Sequence, residues 1–141
     1  MDLFDRILAL SQEGFFCAQI MMLIALESEG RENPDLIRAM GGLTGGMGFS
    51  GGVCGCLTGG ACILSYFLGK GEADELEDPD VHAAVGEFVT WFQERAVQEY
   101  GGSNCQDITH NLPAKRLEHC PALMGEALET CFDILAKRGV I

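Results

Sequence analysis

The stretch GGMGFSGGVCGCLTGGACIL, residues 45–64, combines a run of glycines with three cysteines, and its spacing indicates how the chain folds. Gly51, Gly55 and Gly59 recur every four residues, which places them on one face of a helix. Each glycine inside a helix costs about 0.5–1 kcal/mol relative to alanine, so several together need a compensating gain. The spacing therefore predicts a helix over residues 50–68 whose small face packs closely against a neighbour or allows backbone to approach a site.

The letters GMGFSG at residues 46–51 also match the dinucleotide-binding pattern GxGxxG. That pattern signifies nucleotide binding only where it joins a β-strand to a helix. Here it follows the segment DLIRAM, which has helical spacing, and the chain contains no GxxxxGK[ST] motif. We therefore expect no nucleotide cofactor.

Apolar residues recur at helical spacing through the rest of the chain, and no segment alternates convincingly as a strand does. The expected fold is all-α, a compact bundle of about five to seven helices in a single domain over residues 1–141. The first helix is predicted to begin at residue 3, the second to cover residues 16–30, and the third to run from an Asn33-Pro34 cap to Gly41. The fourth covers residues 50–68, and the fifth runs from an Asp78-Pro79 cap to Gly101. A short sixth helix begins at a Ser103/Gln106 capping box, and the last covers residues 121–139.

The charge of the chain excludes several classes of partner. With 21 acidic and 9 basic residues the net charge is -12, which argues against binding nucleic acid or an anionic membrane surface. The N-terminus MDLFDRILALSQEG has no basic leader and so does not resemble a signal peptide. The longest apolar stretch is shorter than the roughly 20 residues that span a bilayer. We expect a cytoplasmic protein with no membrane partner.

The seven cysteines are the strongest indication of chemistry. In the cytoplasm, cysteines bind metal or perform redox reactions more often than they form structural bridges. Cys17, Cys54, Cys105 and Cys120 each lie at the start of a predicted helix. Exposed N–H groups and the positive end of the helix dipole favour a thiolate there and lower its pKa below the usual value. The sequence thus predicts four reactive thiols.

The remaining candidates have weaker patterns. Cys62 and Cys131 lie in apolar helical segments and are interpreted as buried packing residues. Cys56 and Cys54 form a CxC that allows a vicinal pair but also places the two on different helix faces. His119 precedes a candidate cysteine and is either a ligand or an acid–base partner, unless it points elsewhere. The chain lacks CxxCH, so we expect no covalently attached haem.

Three features together resemble a family of redox-active proteins identified by the cysteine pattern C_GCAxxG_C_C: GFFCAQ around Cys17, the segment GGLTGGMGFSGGVCGCLTG, and later isolated cysteines. Nearly the whole chain fits the family in length and order. The central motif corresponds to CGCLTG at residues 54–59, with Cys56 where alanine is usual. The other family cysteines correspond to Cys17, Cys105 and Cys120, with Cys131 as the alternative for the last.

The resemblance implies a small helical protein with thiol-based redox activity. A similar domain occurs in split-Soret-type c cytochromes, where an iron–sulfur cluster accompanies the haems, although this chain lacks the haem-attachment part. The cluster hypothesis makes Cys17, Cys54, Cys105 and Cys120 its ligands, for electron transfer. Cys56 and His119 are second-tier ligands in this hypothesis, and Gly55 and Gly59 allow close backbone approach to a cofactor.

Two other hypotheses stay open. The same four cysteines form pairs that cycle between dithiol and disulfide; four positioned thiols exceed what one such exchange needs, which favours the metal centre. Either redox form requires a redox partner protein. The alternative class is a non-catalytic helical binding or oligomerisation module with buried structural cysteines. The apolar content and the glycine face predict a homodimer.

Overall fold

A computed structural model describes residues 2–141, and Met1 lies outside the described residues. Within them the chain forms seven α-helices and no β-strand, which confirms the predicted all-α bundle. None of the helices described is both long and apolar enough to cross a membrane. The helices are α1 Leu3–Gln12, α2 Cys17–Ser28, α3 Pro34–Met40, α4 Gly55–Leu68, α5 Val81–Tyr100, α6 Cys105–Thr109 and α7 Pro113–Lys137; a 3-10 turn, Gly41–Leu43, and an irregular turn, Thr44–Met47, precede α4.

The helices α2 and α4 pack along each other at the centre, α5 and α7 cover α4, and α1 and α6 lie against α7. Glycine permits two of these contacts. A Cβ at Gly59 would lie 3.1 Å from the Cα of Ala18 in α2, and one at Gly60 would lie 2.3 Å from the ring of Phe88 in α5. The small residues of α4 therefore serve close helix packing, whereas Gly51, predicted on the same face as Gly55 and Gly59, lies outside the helix.

Two helix boundaries follow the predicted local signals closely. The side chain of Asn33 accepts a hydrogen bond from the N–H of Leu36 at 3.1 Å, which caps α3 ahead of Pro34. At the C-terminal end of α5, Gly101 takes the left-handed conformation with φ of +81°. Caps of this kind depend on neighbouring residues alone, so sequence predicts them well.

The predicted start of α4 was wrong by five residues. Gly46, Gly48 and Gly51 have φ values of +75°, +65° and +77°, which no right-handed helix contains. A Cβ at Gly46 would lie 2.3 Å from the backbone nitrogen of Gly52, because the chain folds back on itself there. The GxGxxG letters thus lie in left-handed turns, and the helix begins only at Gly55.

The predicted start of the last helix was also wrong. The helix α7 begins at Pro113, whose missing N–H is harmless in a first turn, and continues through Pro121. A proline inside a helix costs about 3 kcal/mol, and here packing of α7 along α1 and α4 outweighs that cost. Cys120 therefore lies within a helix and is not an N-cap.

The predicted cap of α6 was displaced by one residue. The carboxylate of Asp107 accepts a hydrogen bond from the backbone N–H of Asn104 at 3.1 Å, so the cap pair is Asn104 and Asp107 rather than Ser103 and Gln106. This shift leaves Cys105 as the first residue of α6.

Candidate functional site

The four cysteines singled out by the sequence line one cavity of about 390 Å³. Cys17 is the first residue of α2, Cys54 directly precedes α4, and Cys105 opens α6. Cys120 comes from the interior of α7. Four separate elements therefore place thiols from positions as far apart as 17 and 120 around the same space.

Backbone hydrogen bonds from the glycine-rich loop, residues 45–54, fix Cys54 relative to Cys105. The N–H of Cys105 donates to the carbonyl of Gly52 at 2.6 Å. The N–H of Cys54 in turn donates to the carbonyl of Ser103 at 3.3 Å. Only a loop that turns through left-handed conformations brings these two backbones side by side, so the glycines position two thiols as well as connecting two helices.

The surroundings of Cys17 lower the pKa of its thiol. The neighbouring Cys56 thiol donates a hydrogen bond that lowers the pKa of Cys17 to about 7 from an ordinary 9.0. Burial opposes this shift, and the backbone N–H groups of Ala18, Gly45 and Cys17 itself support it. A Cβ at Gly55 would lie 2.2 Å from the Cys17 sulfur, so only glycine leaves room for the thiol at this point.

Cys56 is fully buried and contacts two of the four cysteines without lining the cavity. Hydrogen bonds with Cys17 and then with Cys54, together with burial, raise the pKa of Cys56 well above its ordinary value. Cys56 thus remains a protonated donor beside Cys17 and outside the cavity lining. The CxC spacing allowed either a vicinal pair or two cysteines on different helix faces. In the structure, Cys56 contacts both Cys17 and Cys54.

Cys105 and Cys120 are the other two cysteines that line the cavity. The Cys105 sulfur lies 3.6 Å from the Oγ1 of Thr109, one helical turn later. Burial, together with charge on Cys17, Cys54 or Cys105, raises the pKa of Cys120 to about 12, while Arg116 opposes the shift. Cys120 is therefore a neutral thiol whenever Cys17 is ionised.

The structure places the other candidates away from the cavity. The ring of His119 packs edge-on against Tyr100 with 5.0 Å between centroids. The Cys131 sulfur lies 3.7 Å from the carbonyl oxygen of Gly60, and burial raises its pKa to about 12. Cys62 lines a different cavity, beside Tyr66. Cys120 rather than Cys131 therefore joins the other three.

Gly55 and Gly59, predicted to approach a cofactor, lie behind the cavity wall. Gly55 makes room for the Cys17 sulfur and Gly59 for the backbone of Ala18. Neither lines the cavity. Their small size is used for packing around the thiols.

The mouth of the cavity is formed by aromatic and cationic side chains that the sequence analysis did not identify. Phe16 and Phe49 meet edge-to-face at 5.6 Å, and the guanidinium of Arg116 lies 4.7 Å from the centre of the Phe49 ring. Arg116 was overlooked because its segment was interpreted as a connection between helices. The Leu112-Pro113 pair at the true helix start was the available signal.

The sulfur atoms surround the cavity without forming a preformed site for a single ion. Within residues 2–141, no three cysteine, histidine or carboxylate side chains are grouped so that they could hold a metal ion. All seven cysteines are free thiols. The arrangement offers space between the four sulfurs rather than a closed coordination shell.

Fold and site together define a helical protein with a thiol-lined cavity. The chain belongs to the family described as "Putative redox-active protein (C_GCAxxG_C_C)", whose model matches residues 15–134. This match confirms the resemblance seen in the sequence. Neither the curated proteins nor the solved structures gave a match to this chain.

Proposed function

We propose that the four-cysteine cavity is the redox centre of this protein and that Cys17 is its attacking thiol. The observation that carries the proposal is the convergence of Cys17, Cys54, Cys105 and Cys120, each from a different element, on one cavity. The contact of Cys17 with Cys56 and with helix-start N–H groups supports it, because both stabilise a thiolate.

Thiol–disulfide exchange with a partner disulfide is the chemistry that this arrangement favours. The Cys17 thiolate attacks one sulfur of the partner's disulfide, forming a mixed disulfide and releasing the second sulfur as a thiolate that takes a proton from water. The Cys56 thiol then attacks the Cys17 sulfur, and its proton passes to the partner sulfur that leaves. A Cys17–Cys56 disulfide forms, the partner leaves as a dithiol, and two electrons have passed to it.

A second candidate function is electron transfer at an iron–sulfur centre. Its specific support is that four thiols from four elements surround about 390 Å³, because a cluster of several iron and sulfide atoms spans a wider gap than one ion. Cys17, Cys54, Cys105 and Cys120 would hold the cluster, which would supply one-electron chemistry. The N–H groups at the starts of α2 and α6 would hydrogen-bond to thiolate ligands there.

The exchange reaction is tested by redox titration of the reduced, chelator-treated protein in thiol/disulfide buffers, followed by mass spectrometric mapping of the bridge. We expect a reversible two-electron couple with Cys17 linked to Cys56. Cys17→Ser should abolish the couple, and Cys62→Ser, outside the cavity, should leave it unchanged. A couple that persists in Cys17→Ser would overturn this function.

The iron–sulfur function is tested by oxygen-free purification and measurement of iron, acid-labile sulfide and visible absorption. Serine at position 17, 54, 105 or 120 should each remove the absorption, whereas Cys62→Ser should retain it. A colourless, iron-free protein rules out this second candidate and leaves the exchange test to decide alone. If all the thiols react slowly and no couple is found, the non-catalytic helical module is the better description.

A further inference from the structure

We propose that the four-cysteine cavity binds a small amphiphilic anion, with its apolar body against the aromatic mouth and its charged group at Arg116. The inference deepens the proposed function by naming the class of molecule that reaches the thiols. It rests on that function only for the statement that the bound molecule is a substrate, because the binding itself requires no redox chemistry.

The size and lining of the cavity fit a small, largely apolar molecule. Its volume of about 390 Å³ falls within the range of about 300–1,000 Å³ that small-molecule sites occupy. Aromatic and aliphatic side chains supply most of the wall around the thiols. These residues are Phe15, Phe16, Ile20, Phe49, Leu117 and Met124.

The mouth exposes apolar surface that a bound molecule would cover. Phe16 is 46% exposed, Phe49 43% and Leu117 73%. Grouped exposed aromatic and aliphatic side chains beside a cavity indicate a binding surface, because isolated exposure is common but a cluster is not. The thiols lie inside this mouth, so a molecule that fills the cavity contacts both the aromatic rings and the sulfur atoms.

Arg116 supplies the selectivity for an anion. Its guanidinium donates to the Oδ1 of Asn111 at 2.7 Å and stacks on Phe49, and within residues 2–141 it forms no ion pair. Acidic residues outnumber basic residues by 21 to 9 in this chain. Most of the other arginines form an ion pair with a carboxylate, and these are Arg6, Arg38, Arg95 and Arg138. An arginine without a carboxylate is therefore available to a ligand.

No carboxylate lines the four-cysteine cavity, in contrast to two other cavities on the surface. One of those contains Glu27 and Glu32, and the other contains Glu29 and Glu75. These carboxylates offset the basic residues of the same cavities, which are Arg31 and Arg38 in one and Arg31 and Lys70 in the other. The four-cysteine cavity combines one cation with apolar walls, which is the complement of an apolar molecule that carries a single negative charge.

Binding of decanoate to the reduced protein, measured by titration calorimetry, tests the inference. Decyltrimethylammonium, with the same apolar chain and the opposite charge, is the control ligand. We expect decanoate to bind at one site and at least about tenfold more tightly than the cation, because a hydrogen bond to a charged group contributes about 1.5–3 kcal/mol. Arg116→Gln should weaken decanoate binding by a similar factor, whereas Arg38→Gln, in the last turn of α3 and outside the cavity, should not.

Two further variants keep the test independent of folding and of redox chemistry. Leu117→Ser changes a side chain that is 73% exposed and should weaken the binding of both ligands by the same factor. Cys56→Ser, which removes the other thiol of the exchange pair and does not change the lining of the cavity, should retain decanoate binding, so a failure of the exchange reaction and a failure of this inference give different results. Three outcomes would each overturn the inference. They are equal affinity for the two ligands, unchanged decanoate binding in Arg116→Gln, and loss of decanoate binding when the protein self-associates over the cavity.

Discussion

At the scale of single residues, the surroundings of one sulfur atom distinguish Cys17 from the other cysteines. It accepts hydrogen bonds from the Cys56 thiol and from backbone N–H groups at the start of a helix, and these lower its pKa to about 7. Cys120 and Cys131, by contrast, have their pKa raised to about 12, chiefly by burial. The same residue type is thus made reactive or inert by the donors that reach it.

The pH dependence of alkylation should report this difference. In the reduced, chelator-treated protein, reaction of Cys17 with iodoacetamide should reach half its maximal rate near pH 7, because the thiolate is the nucleophile and its fraction rises with pH through the pKa. Removing the donor in Cys56→Ala should move that midpoint upward, toward the ordinary 9.0. Peptide mass spectrometry of Cys17 gives the rates.

The serine variant is the matched control, because Cys56→Ser keeps a donor at the same position. Its midpoint should remain closer to that of the natural protein than the midpoint of Cys56→Ala. Superimposable profiles for the natural protein and Cys56→Ala would show that the Cys56 thiol does not act on Cys17.

Gly55 is expected to be intolerant of any side chain. A Cβ there would lie 2.2 Å from the Cys17 sulfur, so Gly55→Ala should displace the thiol and cost about 1–3 kcal/mol of unfolding free energy. Gly86→Ala, in open space on α5, should instead stabilise the protein by about 0.5–1 kcal/mol. Urea denaturation measures both, and equal stability of the two variants would contradict the contact.

At the scale of elements, the glycine-rich region performs two different tasks in succession. Before α4 its residues turn through left-handed conformations and hydrogen-bond to the start of α6, which positions Cys54 beside Cys105. Inside α4, Gly59 and Gly60 let α2 and α5 approach. The site and the core are therefore built by adjacent parts of one stretch of sequence.

Packing and thiol chemistry should consequently separate in a variant of Gly60. A Cβ there would lie 2.3 Å from Phe88, so Gly60→Ala should cost about 1–3 kcal/mol in a urea melt. The alkylation midpoint of Cys17 should stay near pH 7, because Gly60 does not line the cavity. Gly125→Ala, whose Cβ would meet only Ile7 at 3.9 Å, is the control. Unchanged stability of Gly60→Ala would show that α4 and α5 pack less closely than described.

At the scale of the whole molecule, the excess of acidic residues is the dominant electrostatic feature. The net charge of -12 is distributed over surface carboxylates, and self-repulsion among them destabilises the compact state. The four-cysteine cavity, which has no carboxylate and contains Arg116, differs in charge from this surface. The thiols therefore lie in a part of the surface that has a cation and no carboxylate.

Added salt should stabilise the folded protein for this reason. Raising NaCl from about 0.01 to 0.1 M shortens the screening length from about 30 to 10 Å, so repulsion between surface carboxylates weakens and Tm should rise. Calorimetry with NaCl and KCl separates screening from binding of a particular ion, since both salts should act alike. A fall in Tm with either salt would show that attractive ion pairs outweigh the repulsion.

The sequence by itself determined the helical class, most helix limits and three of the cysteines that line the cavity, Cys17, Cys54 and Cys105. Apolar periodicity, caps such as Asn33 and the glycine at 101 act between neighbours along the chain, so they can be recognised without coordinates. The local signals misled at Ser50 and Pro121. The left-handed turns before α4 arise from loop contacts with α6, and α7 continues through Pro121 because it packs on other helices.

Only the tertiary structure decided how the thiols are arranged. The contact of Cys56 with Cys17, the placement of Cys120 on the cavity and of Cys131 and His119 away from it, and the position of Arg116 at the mouth all join residues far apart in the chain. Such contacts depend on how whole helices pack. Periodicity reveals which face of a helix is buried, but not which partner it meets, and for a thiol the partner sets the chemistry.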